Sequence, residues 1–193
     1  MNNAFTPPDQ KLLLQLARQA ISEVTSSSRQ SSPVESVLSP VLLKRVGCFV
    51  TLTRGGRLRG CIGNIFPRKP LYREVMNNAC GAAFRDHRFP PMSAEEHDEV
   101  AIKISVLNEP VTLPFQSPEE LLQKLRPGVD GVVLRIGERE ATLLPQVWEQ
   151  FRDASGFMDL LAQKARLPGA AWCDPAAVVM TYQVESFEEQ RGV

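Results

Sequence analysis

Gly55-Gly56 stands between two runs of alternating residues, VGCFVTLTR from Val46 to Arg54 and RLRGCIGNI from Arg57 to Ile65. Paired glycines accept the positive φ angles that a two-residue turn needs, so the flanking runs predict a tight β-hairpin. An antiparallel pair is thereby set in the first third of the chain. The segments around it do not alternate strand with helix in the way that builds a parallel sheet. Upstream, Thr6-Pro7-Pro8-Asp9 has the form of a helix start, with Thr6 as the cap, Pro7 in the first helical position and Asp9 near the positive end of the dipole. Leu12, Leu13, Leu16, Ala17, Ala20, Ile21 and Val24 then recur at helical spacing, and the helix is expected to end near Thr25. SSSRQSS, with Pro33 and Pro40 beyond it, reads as a polar loop over about residues 26–40.

Downstream of the hairpin, Pro70 opens a helix carrying Leu71, Val75, Ala79, Ala82 and Ala83 on one face, and Pro90-Pro91 forbids its continuation. Val100–Leu107 alternates as a strand, Ser117-Pro118-Glu119-Glu120 starts a short helix, and DGVVLRIG with ATLL makes a second hairpin. Helices are predicted around Pro145–Phe151 and Gly156–Arg166, and VVMTYQV closes the chain as a last strand. About six strands and five helices, with hairpins prominent, define an α+β class: a mostly antiparallel sheet with flanking helices. A length of 193 residues fits one domain, taken as 1–193.

Composition excludes several functions. With 22 basic and 22 acidic residues the formal net charge is zero, unlike a binder that holds polyanions through excess positive charge. No run approaches the roughly 18–20 apolar residues of a membrane span, and MNNAFTPPDQ has neither the basic start nor the apolar stretch of a signal peptide, so a cytoplasmic protein without membrane association is expected. Cys48, Cys61, Cys80 and Cys173 are too scattered for a disulfide framework, and no Cys-x-x-Cys pair or close cysteine triplet marks a zinc or iron–sulfur site. Phosphate-loop and Gly-x-Ser-x-Gly patterns are absent. The sequence thus calls for no metal and no cofactor.

The neutral total is uneven along the chain. Residues 40–92 hold ten bases against two acids, whereas residues 93–193 hold nine bases against seventeen acids. A one-signed concave site in the basic segment would concentrate an anionic substrate or an acidic peptide; the competing reading is that the two halves pair with each other.

Chemistry centres on Cys61. If the strand from Arg57 runs straight, Arg57, Arg59 and Cys61 share one face, and a thiol beside fixed positive charge is more readily the thiolate that acts as nucleophile. Gly60 and Gly63 mark a bulge, or a place where a ligand or another backbone comes close. Against this stands a plainer reading, Cys61 as a small packed hydrophobe. His87, beside Asp86 and Arg88, is a candidate base for Cys61 or else a surface histidine in a turn. His97 in EEHDE reads as solvated on an acidic turn, and Trp148 and Trp172 as core residues.

Leu58-Arg59-Gly60-Cys61-Ile62-Gly63 resembles the LRGCIG signature of the AMMECR domain family, whose prokaryotic members are called AmmeMemoRadiSam system protein A. Phe49-Val50-Thr51-Leu52, Asp86 with Arg88-Phe89-Pro90-Pro91, Ile104-Ser105-Val106-Leu107, Gly128, Asp130-Gly131, Leu143-Leu144-Pro145-Gln146-Val147, Lys164 and Trp172 resemble the family pattern in order. His87 lies outside the residues that carry the likeness. The resemblance implies an α+β fold of two unequal lobes, with the LRGCIG strand facing a cleft between them, and partners similar to a Memo-like protein and a radical S-adenosylmethionine enzyme. It brings no established reaction with it.

The expected function is a cysteine-dependent enzyme component: Cys61 as nucleophile or covalent carrier, Arg59 activating it and holding an anionic group, and Arg57, Gly60, Gly63, Asp86 and Arg88 forming the binding wall. A non-catalytic protein-binding module is the alternative. Nucleic-acid binding ranks third, because only Phe49, Phe66, Tyr72, Phe84 and Phe89 lie among the bases.

Overall fold

A computed structural model describes residues 5–26 and 35–189. The chain forms two compact units of unequal size, one from Met1–Leu107 with Glu185–Val193, the other from Asn108–Val184. In chain order the elements are α1 (Pro7–Ser26), β1 (Cys48–Arg54), β2 (Arg57–Asn64), α2 (Leu71–Phe84), β3 (Val100–Leu107), β4 (Val111–Thr112), α3 (Pro118–Lys124), β5 (Gly131–Ile136), β6 (Arg139–Leu143), α4 (Ala154–Lys164), β7 (Val178–Tyr182) and β8 (Val184–Glu188). Both sheets have four strands, in the orders β2-β1-β3-β8 and β4-β7-β5-β6, and the hydrogen-bonded pairs β1–β2, β1–β3, β4–β7, β5–β6 and β5–β7 are antiparallel. The α+β expectation therefore holds. Among the described residues no helix is long and apolar enough to cross a membrane.

In the first unit the capping box forms as the sequence implies: the Thr6 N–H donates to Asp9 Oδ2 at 3.1 Å and the Asp9 N–H to Thr6 Oγ1 at 3.4 Å. The apolar stripe of α1 (Leu13, Leu16, Ala17, Ile21) and that of α2 (Leu71, Val75, Ala79, Ala82) share one core with Val50, Leu52, Ile102 and Ile104 of the sheet. Each fully buried aliphatic side chain there contributes about 1.5–3 kcal/mol relative to exposure. These helices thus cover one face of the sheet and leave the other to residues of opposite parity.

The described end of the presumed polar loop is more ordered than its composition suggests. Glu35–Val37 and Pro40–Leu43 are short 3-10 turns, and Leu38 and Leu42 enter the core. The part of that loop at 27–34 lies outside the described residues.

The second unit packs α3 and α4 with its own sheet around Leu121, Val132, Leu134, Phe157, Leu161 and Val179. Trp148 stacks on Phe157 with ring centroids 3.6 Å apart, and its Nε1 donates to the Asp130 carbonyl at 2.7 Å. Trp172 Nε1 donates to Asp159 Oδ1 at 2.7 Å. Both tryptophans are core residues whose polar edge is satisfied.

Three sequence expectations need correction here. VVMTYQV is not one strand, because the chain leaves β7 before Gln183 and enters the other sheet as β8. Pro145–Gln150 is a 3-10 segment rather than an α-helix. Finally, α4 begins before Gly156, since Asp153 caps it by accepting from the Gly156 N–H at 2.8 Å.

Candidate functional site

The Gly55-Gly56 turn forms with φ of +56° and +74°, as a tight hairpin demands. A two-residue turn starts the register Arg54↔Arg57 and Thr53↔Leu58, which unbroken would continue to Leu52↔Arg59 and Thr51↔Gly60. Instead Leu52 faces Gly60 and Thr51 faces Cys61, so Arg59 is an extra residue, a β-bulge. One inserted residue inverts every face assignment across it.

Directly opposed residues project to the same face. Gly60 and Ile62 oppose Leu52 and Val50 and lie toward the helices; Cys61 and Gly63 oppose Thr51 and Phe49 on the other side. Arg57 opposes Arg54, which has the parity of Leu52, so Arg57 falls on the helix side. The straight-strand expectation that Arg57, Arg59 and Cys61 share a face is therefore corrected by the bulge.

Each glycine has a local cause. A Cβ on Gly60 would lie 2.0 Å from the Ala82 carbonyl oxygen, and the backbone that approaches closely there is that of α2. A Cβ on Gly63 would meet the Phe49 ring at 2.3 Å, so that ring occupies the space over Gly63. Gly81 in α2 in turn makes room for Ile62, whose Cγ2 would stand 2.9 Å from an added Cβ.

Cys61 is half-buried, and its Sγ lies 3.3 Å from Thr51 Oγ1. Its backbone is held by the segment after α2. The Cys61 N–H donates to Asp86 Oδ2 at 2.8 Å, and Arg88 Nη2 reaches the Cys61 carbonyl at 3.4 Å. Asp86 is 4% exposed and also accepts from Arg88 Nε at 2.9 Å, Arg88 Nη2 at 2.7 Å and the Arg88 N–H at 3.2 Å. The Arg88 guanidinium, then these backbone donors, hold the Asp86 carboxyl well below the usual range despite its burial. Since β2 is an edge strand, this clasp also satisfies backbone groups that would otherwise be open to pairing.

Arg59 is 8% exposed and committed elsewhere. Its Nε and Nη2 donate to Glu96 at 2.8 and 2.9 Å, and Nη2 also donates to the Pro90 carbonyl at 3.0 Å. Arg54 joins the same carboxylate at 3.1 Å and pairs with Glu99 at 2.5 Å. With Arg59 as its main partner, Glu96 is held at a pKa of about 2. The Phe89 ring lies 5.9 Å from the Arg59 guanidinium carbon and 5.6 Å from that of Arg88, within cation–π range of both. Bases of residues 40–92 thus do pair with acids of the later segment, at Arg54 and Arg59.

The two histidines lie in different surroundings. His87 is exposed, and among the described residues no hydrogen bond joins it to Cys61. His97 is not simply solvated: its Nε2 lies 2.6 Å from Ser22 Oγ and its Nδ1 2.9 Å from Asp98 Oδ1. The remaining cysteines are set apart from Cys61. Burial pushes the Cys48 thiol up to about 12, Cys80 donates to the Ala20 carbonyl at 3.2 Å with its pKa raised by burial, and the exposed Cys173 is also raised. Among the described residues no three His, Cys, Asp or Glu side chains gather to hold a metal ion.

Thr51, which faces Cys61, Glu96, which holds Arg59, and Lys103, which faces Thr51, are residues that residue chemistry alone did not single out. Thr51 carries no sequence signal for this role, because a bulge-free hairpin pairs it with Gly60. Glu96 shows only as one acid in EEHDE, and Lys103 only as one polar position of an alternating strand.

The AMMECR1 family model matches residues 14–187, nearly the whole described chain. The chain belongs to the AMMECR1 family. AMMECR1-family relatives include a protein of Methanothermobacter thermautotrophicus, 38% identical over 180 residues, covering 93% of each chain. A Thermococcus gammatolerans protein is also 38% identical, over 188 residues, covering 93% of this chain and 90% of its own. Among solved structures, the uncharacterized protein PH0010 of Pyrococcus horikoshii is similar with a TM-score of 0.85 and 34% identity, over 94% of this chain and 91% of that one. In this chain residues 58–63 belong to the bulged edge strand of a four-stranded sheet.

Proposed function

We propose that this AMMECR1-family chain is a cysteine-dependent enzyme component in which Cys61 is the nucleophile or covalent carrier, acting on an anionic substrate. The observation that carries this reading is the Cys61 Sγ–Thr51 Oγ1 approach of 3.3 Å on a half-buried sheet face, with the Cys61 backbone held on both sides by Asp86 and Arg88. A hydroxyl at that distance donates to a thiolate, and a fixed backbone keeps the sulfur in one attack geometry. Cys48, Cys80 and Cys173 are all raised away from that role.

In this reading Asp86 and Arg88 are positioning residues, Arg59 anchors the bulge through Glu96, and Gly60 and Gly63 allow close packing beneath and beside the thiol. Arg57, on the helix side of the sheet, and the exposed His87 take no part in this reading. By family resemblance the chain works with a Memo-like protein and a radical S-adenosylmethionine enzyme, and its cytoplasmic setting keeps four free thiols reduced. The test is alkylation with iodoacetamide at neutral pH, read at each cysteine by peptide mass spectrometry. Cys61 reacts at least tenfold faster than Cys80 and Cys173 and faster than free cysteine; a Cys61 no faster than those two thiols sinks the nucleophile role.

A second reading, a docking module, is favoured by one observation: Leu58 and Phe66, at either end of β2, are each 46% exposed. Under it, Cys61→Ala leaves co-purification with a Memo-like or radical S-adenosylmethionine protein intact, while Leu58→Asp abolishes it.

A further inference from the structure

Thr51 is paired on both sides, with Cys61 of β2 and with Lys103 of β3. Cys61, Thr51 and Lys103 therefore form one row across three strands on the face opposite α1 and α2, and all three are half-buried. The neighbouring row is Gly63, Phe49 and Ser105, in which the Phe49 ring lies over Gly63 and gives the thiol an apolar flank.

The arginines that residue chemistry associates with Cys61 are paired with acids or stand on the other face. Arg54 and Arg59 carry Glu96 and Glu99, Arg57 stands on the helix side opposite Arg54, and Arg88 carries Asp86 while its Nη2 also lies 3.4 Å from the Cys61 carbonyl. Lys103 has no ion pair among the described residues and stands on the Cys61 face.

We propose that Lys103 is the specificity-determining residue of this site, binding the single carboxylate or phosphate group of a small-molecule substrate whose reacting atom lies at Cys61. The proposal rests on the reading of Cys61 as nucleophile. β2 and β3 lie about 10 Å apart across β1, twice the usual strand spacing. A lysine side chain spans part of that distance, so a ligand of a few atoms would suffice to reach from ammonium to thiol. One ammonium suits one anionic group rather than an acidic stretch of peptide. Thr51, between the two, offers its hydroxyl to either the thiolate or the ligand.

The experiment compares anionic iodoacetate with neutral iodoacetamide as probes of Cys61, read by peptide mass spectrometry on the full chain. Lys103→Gln lowers the iodoacetate-to-iodoacetamide rate ratio at Cys61 at least threefold while the iodoacetamide rate changes less than twofold. Lys103→Arg keeps the ratio, and Arg57→Gln leaves it unchanged. An unaltered ratio in Lys103→Gln, or a loss in Arg57→Gln instead, overturns the proposal. A Cys61 inert to both reagents counts against the nucleophile reading alone, so a second measurement is independent of thiol chemistry. Titration with inorganic phosphate shifts the backbone amide resonances of Thr51 and Lys103 in the native protein and not in Lys103→Gln; no shift in the native protein at millimolar phosphate overturns the anion site itself.

Discussion

The Cys61 backbone N–H donates to the buried carboxylate of Asp86 at 2.8 Å, across 25 residues of sequence. That bond ties the edge strand of a hairpin to the segment after a helix, and it holds the candidate nucleophile at its own backbone. Removing the carboxylate leaves a buried N–H and the Arg88 guanidinium without their acceptor. Asp86→Ala is expected to cost about 2–4 kcal/mol, read as a lower urea midpoint at unchanged slope.

Acid stability follows from the same group and from Glu96. Both carboxyls have folded-state values below their unfolded ones, Asp86 through Arg88 and Glu96, at about 2, through Arg59. Each therefore contributes stability fully above the ordinary carboxylate value of roughly 4, and loses it as pH falls through the folded value. The native chain is expected to weaken between about pH 4.5 and pH 2, and the double variant Asp86→Asn with Glu96→Gln to show a shallower decline from a lower starting stability. Parallel pH curves for the two proteins would refute this assignment.

Gly60→Ala forces a methyl group to 2.0 Å from the Ala82 carbonyl oxygen, a backbone atom that moves only with α2. A loss of about 3 kcal/mol is expected, lowering the melting temperature by roughly 6–12 °C for a chain of this size. Gly55→Ala supplies the contrast, since nothing lies within 4 Å of its added Cβ and only the φ of +56° is strained. It should cost about 1 kcal/mol. Equal losses at the two sites would show that α2 does not sit tightly on Gly60.

Thr51→Val removes the hydroxyl 3.3 Å from Cys61 Sγ while keeping its shape. One hydrogen bond of about 1 kcal/mol corresponds to roughly a fivefold slower alkylation of Cys61 at fixed pH. Thr51→Ser should retain the native rate. If valine and serine slow the reaction alike, packing rather than the hydroxyl is responsible.

In the second unit, Trp148→Phe keeps an aromatic ring against Phe157 but orphans the Asp130 carbonyl, which accepts from Nε1 at 2.7 Å. Urea unfolding should register a loss of about 1–3 kcal/mol. The iodoacetamide rate at Cys61 is expected to stay at the native value.

Much of the architecture was legible from pattern. The Gly55-Gly56 turn, the α1 stripe from Leu13 to Ile21 and the Thr6 cap depend on neighbours a few residues away, and local sequence specifies them. The break at Gln183 was not legible, because VVMTYQV reads equally well as one strand, and membership of two sheets is decided by partners far away in sequence. The order in Glu35–Leu43 was hidden for a similar reason: Leu38 and Leu42 are anchored by a core that the surrounding serines do not reveal.

At the site the division is sharper. By itself the sequence determined that a hairpin carries Cys61 between two glycines, that bases crowd the same segment, and that the motif resembles one family. Which of those bases stands beside the thiol was decided only in three dimensions. The bulge at Arg59 shifts the pairing by one residue, and strand side chains alternate with a period of two, so Cys61 passes to the face opposite Arg57. Arg59 and Arg88 are neutralised by Glu96 and Asp86, acids that lie 37 and 2 residues away in sequence. Lys103, on the far side of β1 from the second strand of the hairpin, is the cation in line with Thr51 and Cys61.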